Sequence, residues 1–175
     1  MKISFPKNTK NFPVNIIVFL LLILFISGCG NSDDQRKFEQ QAFQQPSGIT
    51  ETDNQGNIIS NDPDDWRIAP IFQGLVEVSP AFPNPVSING QLRIELDIKF
   101  LDSVNGIEVA VLFQDRSVGT LFDDPSIQIP PGLQVIDINP LELGRFESEV
   151  IGLHRILILD IRRNIISYGD VRVVQ

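Results

Sequence analysis

Leu92-Arg93-Ile94-Glu95-Leu96-Asp97-Ile98-Lys99-Phe100 alternates apolar and charged residues without a break. A period of two places every apolar side chain on one face of an extended chain and every charge on the other, so the segment predicts a half-buried β-strand. Its charges alternate in sign by pairs, which suits cross-strand pairing with neighbours. After the turn signal Asp102-Ser103-Val104-Asn105-Gly106, the pattern returns at Ile107, Val109, Val111 and Phe113. Phe72–Val78 reads as a strand before the quoted stretch. Segments 133–138, 153–161 and 165–174 read as strands after it. Leu153–Ile161 is apolar on both faces near its middle, as a strand covered on both sides would be. The chain has 12 Gly and 12 Pro, concentrated with Asn and Asp between these runs, and no segment sustains a helical period. The expectation is an all-β sandwich of six to eight strands over residues 66–175.

Val76-Glu-Val-Ser-Pro-Ala-Phe-Pro83-Asn84-Pro85, followed by Asn89-Gly90 and the long strand, is similar to the opening of bacterial immunoglobulin-like domains. These include type IX secretion sorting domains and flagellar hook-capping-like modules. The resemblance implies an immunoglobulin-like β-sandwich, and nothing of sorting is carried over. Proline fixes φ and withholds a ladder donor, so Pro83 and Pro85 predict a surface elbow between Val76–Ser79 and Leu92. Phe82 is expected to plug the core end, and Asn84 to contribute little unless it caps the turn.

The other end of the chain has a different character. Lys2, Lys7 and Lys10 precede an apolar run from Ile16 to Ile26, which is shorter than the roughly 20 residues of a spanning helix. A basic flank, a short apolar stretch and small residues after it predict a secretory signal peptide over 1–28. Ile26-Ser27-Gly28-Cys29 resembles the bacterial lipobox. That resemblance implies recognition of Ile26, Ser27 and Gly28 by the signal peptidase, cleavage before Cys29, and diacylglycerol on the Cys29 thiol with further acylation such as palmitate. Gly30, where retained lipoproteins carry aspartate, implies the outer membrane. Ser32-Asp33-Asp34 resembles a short export signal that implies surface display.

Residues 29–65 read as the lipidated cysteine and a polar spacer, with eight acids between residues 30 and 66 against Arg36 and Lys37. Such a segment has too little apolar surface to offset its ordering entropy. Phe38–Phe43 offers at most one helical turn. Within the spacer, Asp53-Asn-Gln-Gly-Asn57-Ile-Ile-Ser60 echoes Asp160-Ile-Arg-Arg-Asn164-Ile-Ile-Ser167. Both read as strand, polar turn and strand, and predict a small hairpin over 48–60.

The composition limits function. A net charge of -8 argues against nucleic acid. One Cys and one His exclude a Cys or His metal cage. No phosphate loop or nucleophile elbow is present, so no catalytic residue, metal or cofactor is expected and the chain is not read as an enzyme. His154 reads as a rim histidine on a strand. Asp123-Asp124 and Asp62, Asp64 and Asp65 read as solvated turn acids. Asp137 with Glu142, or Glu147 with Glu149, could form a carboxylate pair for glycoside chemistry. The leading expectation is an envelope lipoprotein presenting its domain to another envelope protein. The alternative is a surface carbohydrate-binding module, for which Trp66 is a candidate platform; a hydrolase ranks behind both.

Overall fold

The computed structural model describes residues 30–175, with side chains from Asp33 onward. Helix α1 covers Gly30–Ala42. A hairpin of β1 (Glu51–Thr52) and β2 (Ile58–Ser60) follows. Nine further strands build the sandwich: β3 (Arg67–Ile68), β4 (Val76–Val78), β5 (Val86–Ser87), β6 (Leu92–Ile98), β7 (Ile107–Leu112), β8 (Val118–Asp124), β9 (Gly132–Ile138), β10 (Gly152–Leu159) and β11 (Ile165–Val174). One sheet runs β3-β11-β10-β7-β8, with β5 parallel to the end of β11. The other runs β4-β6-β9. Seven of these strands are three residues or longer, so the all-β sandwich matches the alternation seen in the sequence.

Residues paired across an antiparallel ladder share a face. In β6, Leu92, Ile94, Leu96 and Ile98 are buried, while Arg93, Glu95 and Asp97 point outward. Opposite them, Val109 pairs with Ile158 and Val111 with Ile156, all fully buried. These rows form one continuous core. Trp66 closes part of it. Its backbone takes φ 56 and its ring lies on Gly169, where an added Cβ would fall 2.2 Å from the indole. Only glycine leaves room for that ring.

The second face of the larger sheet is also covered. Arg155 pairs with Asp170 and Leu157 with Tyr168, and all four are buried. Helix α1 covers them, with the Phe38 ring 5.0 Å from Tyr168 and Ala42 fully buried. This corrects the reading of 29–65 as a flexible spacer. Residues 30–65 are helix, hairpin and ordered connection packed on the sheet, and the folded unit extends back to Gly30. The physical reason is that the sheet supplies the apolar and charged partners that the segment itself lacks. The double cover also explains why β10 reads as apolar on both faces.

A hairpin does lie within 48–60, and its turn has the same chemistry as the β10–β11 turn. The Asp53 carboxylate accepts from the backbone and side chain of Asn57, and the Asp53 N–H donates to the Asn57 carbonyl. Asp160 and Asn164 repeat all three bonds. Gly56 and Arg163 occupy equivalent positions, with φ 82 and φ 66.

The elbow lies where its prolines put it, between β4 and β6, but its residues are used differently. Phe82 is half-buried against Gly56, whereas Asn84 is completely buried. The expected order of importance is therefore reversed. Phe82 sits at the rim, and Asn84 joins three separate segments.

Candidate functional site

Two features concentrate polar chemistry. The first is a cleft of about 650 Å³ at the sandwich end formed by the β7–β8 turn and the β9–β10 connection. Asp115 folds the β7–β8 turn by accepting from the Ser117 N–H at 3.0 Å and its hydroxyl at 2.8 Å. The β9–β10 connection contains a 3-10 turn (Pro140–Leu143), opened by Asn139 accepting from the Leu141 N–H, and helix α2 (Glu147–Val150). Arg145 crosses between the two loops. It makes a two-pronged ion pair with Asp115 at 2.8 and 2.9 Å, and its guanidinium stacks 4.2 Å from the Phe113 ring centre. The Ser117 bonds, then Arg145, pull the Asp115 carboxyl down to about 2.

His154 opens β10 on the same wall, where Nε2 donates to the Val150 carbonyl at 2.8 Å. Burial is the main influence on the ring and holds its pKa below the ordinary histidine value, against the Val150 bond and Glu149, which favour the cation. A neutral ring donating from Nε2 leaves Nδ1 as an acceptor. The cleft can therefore offer one imidazole acceptor and a guanidinium already committed to a carboxylate. These are groups for recognition. No described contact activates a nucleophile.

The second feature is a buried network beneath α1. Arg155 pairs with Asp170 through Nε and Nη2, the latter at 2.9 Å, and donates to the Gln41 carbonyl at 3.0 Å. It thereby satisfies carbonyls that the helix terminus leaves open. Its guanidinium also lies 4.8 Å from the Tyr168 ring centre. Asp170 accepts from the Ser47 N–H at 2.9 Å. Asp65 accepts from the Thr50 N–H at 2.7 Å and the Asp170 N–H at 3.0 Å. The Asn84 amide donates to the Thr50 and Asp170 carbonyls, both at 2.9 Å, and its carbonyl accepts from the Arg172 N–H at 3.0 Å. Burial, then the neighbouring Asp170, pushes the Asp65 carboxyl up to about 7. The network locks residues 41–65 onto β10, β11 and the elbow, with its charges turned away from water.

Ile26, Ser27, Gly28 and Cys29 lie outside the described residues. Asp137 is held by Arg93 through two bonds of 2.8 and 3.2 Å. Glu149 accepts from the Arg145 N–H at 3.2 Å, so these carboxylates have structural partners. Asp62 caps its own turn by accepting from the Asp64 N–H, whereas Asp65 differs from the solvated acid expected of it. Trp66 and Tyr168 are both buried, so neither offers an exposed ring for a sugar. Among the described residues, no three His, Cys, Asp or Glu side chains could hold a metal ion. The sequence reading missed the network because its members are spread from Gln41 to Arg172. The Asp53 and Asp160 repeat was the one local signal that part of this region is folded.

The fold defines an all-β, sandwich-type protein. No family model matches the chain, and no curated protein matches it. Among solved structures, a lytic polysaccharide monooxygenase from Jonesia denitrificans is similar over 51% of this chain, with 20% identity and a TM-score of 0.32. This chain spans about half of that structure, 54% of its length.

Proposed function

We propose that this protein is a cell-envelope lipoprotein, held in the outer membrane by acylated Cys29, whose β-sandwich binds another envelope protein. The observation that carries the reading is Ile26-Ser27-Gly28-Cys29 closing the apolar run from Ile16. Two or three acyl chains, at about 0.8 kcal/mol per buried methylene, hold a protein on a bilayer without a spanning helix. The binding half is supported by the sheet order. β8 ends one sheet and β9 ends the other, so each carries a ladder edge that can accept an added strand. The absence of an exposed Trp or Tyr ring weighs against the carbohydrate-binding alternative.

Metabolic labelling with a fatty acid tests the anchor. Label on the parent chain and none on Cys29→Ser, which accumulates as the uncleaved precursor, is expected. Label retained by Cys29→Ser would overturn it. Affinity recovery from envelope membranes with the intact lipoprotein tests the binding half. A stoichiometric envelope protein is expected, and recovery of polysaccharide alone would contradict it.

A further inference from the structure

Four connections meet at the sandwich end opposite the His154 cleft. They are 70–75 before β4, 99–106 between β6 and β7, 125–131 between β8 and β9, and 160–164 between β10 and β11. The register puts them together. Ile98 pairs with both Val76 and Gly132, Ile107 with Asp124, and Leu159 with Ile165. Backbone bonds then tie the loops to one another: Lys99 N–H to Leu75, Ile129 N–H to Val104, and Ile161 N–H to Asn105. This end carries Ile71, Phe100, Leu101, Ile127 and Ile161 in exposed positions, with Phe100 61% and Ile127 78% accessible. Lys99, Arg162 and Arg163 stand there against Asp102, Asp123, Asp124 and Asp160, so the tip has no excess of positive charge.

Helix α1 aims the chain at the same end. Gln41 lies against Arg155 and Arg67, Phe38 against Tyr168, and Gln35 accepts from the Ile71 N–H at 3.3 Å. Traced back from Gln41, the helix therefore advances towards the apolar tip. Gly30 begins about 7.5 Å beyond Gln35, at 1.5 Å per residue. Cys29 is the next residue, one peptide unit away.

We infer that this apolar tip is a membrane-docking surface: the lipid chains on Cys29 and the exposed side chains of the 99–106, 125–131 and 160–164 loops enter the same bilayer leaflet. The inference rests on lipidation of Cys29 and adds an orientation to it. A helix fixed by Arg155 and Phe38 carries its described start, Gly30, towards the loops. A docking surface with no excess of positive charge would bind through apolar insertion, so zwitterionic lipid suffices. The opposite end also exposes an aromatic ring, Phe146, at 67%, but it lies far from the helix start and serves as an internal control.

The test uses the mature lipidated protein in phosphatidylcholine vesicles whose acyl chains carry bromine. The Cys29 sulfur is consumed by the lipid and is the only sulfur of its kind in the chain, so Ile127→Cys, Phe100→Cys and Phe146→Cys each give one site for a fluorophore. All three positions are exposed, and two independent reporters stand for the tip. Strong quenching at 127 and 100 is expected, at a depth of about 5–10 Å below the headgroup boundary. Little quenching at 146, and no loss of tip quenching in high salt, complete the expectation. Lipidated protein that floats with vesicles yet shows no quenching at 127 and 100, or equal quenching at 146, would overturn the orientation and leave the anchor standing. A product without acyl chains that stays off the vesicles would overturn both.

Discussion

Asn84 shows how much one side chain can carry in this fold. It is fully buried, donates to Thr50 and Asp170, and accepts from Arg172. Its backbone bridges Thr52 in both directions, at 2.8 and 3.3 Å. Each buried group left without a partner costs about 1–3 kcal/mol. Asn84→Ala strands two buried carbonyls and the partly buried Arg172 N–H and should destabilise the protein by about 2–6 kcal/mol in denaturant unfolding. Phe82→Ala removes a half-exposed ring and should cost less than the roughly 3–5 kcal/mol of a fully buried one. The opposite order would show that the elbow is held by Phe82. Pro-Asn-Pro was legible as a break in the ladder, because proline geometry is local. The role of Asn84 was not legible, because its partners lie 34, 86 and 88 residues away.

Asp65 adds a pH dependence at the same scale. Its folded carboxyl titrates near 7, against 3.8 when unperturbed, with Asp170, Asp62 and Arg155 as its charged neighbours. The folded state therefore holds this proton more tightly than the unfolded chain. The stability it contributes is complete below about 3.8 and is lost as pH rises through about 7. Asp65→Asn cannot ionise, but it gives up one of two accepted bonds, so it starts at a disadvantage. That disadvantage should shrink between pH 4 and 7 when unfolding is compared with the parent. A constant difference across the window would contradict the assignment.

Helix α1 is the element least visible in the sequence. Gly30–Ala42 contains GNSDDQRKFEQQA, in which Phe38 and Ala42 are the buried apolar residues. That is a single i, i+4 contact, too narrow a stripe to register as an amphipathic period. Arg155 docks the helix at its carbonyl end, and Arg67 adds a bond to the Gln41 side chain at 2.9 Å. Both arginines come much later in the chain. Strand β6 was legible because its alternation is set by one buried and one outward face within the segment, whereas β7 is buried along its whole length. The extent of the folded unit was not, because Trp66 and the hairpin are ordered by contacts with β11 and the elbow. Starting the chain at Arg67 removes the indole over Gly169, the Thr50 and Thr52 partners of the elbow, and the Asp65 carboxylate that accepts from the Asp170 N–H. Loss of a buried Trp alone costs about 3–5 kcal/mol. A 67–175 fragment should therefore melt well below a 30–175 chain by circular dichroism. Equal melting would mean that the N-terminal segment only decorates the sandwich.

At the scale of the whole molecule, the architecture changes what an anchor at Cys29 would do. A polar spacer of some 36 residues has a mean reach of roughly 30–35 Å and would let the sandwich swing above the bilayer. A helix packed on β11 and described from Gly30 onward would leave almost no spacer. It would turn the loops bearing Phe100, Ile127 and Ile161 to the membrane, and the His154 cleft to the other side. The edges of β8 and β9 would then run up the flank of a domain seated on lipid, where an envelope partner could add a strand. Neutron reflectometry of the lipidated protein on a supported bilayer tests this most directly. The account predicts protein density starting at the headgroups with no intervening water layer. A hydrated gap of about 30 Å between headgroups and domain would contradict it.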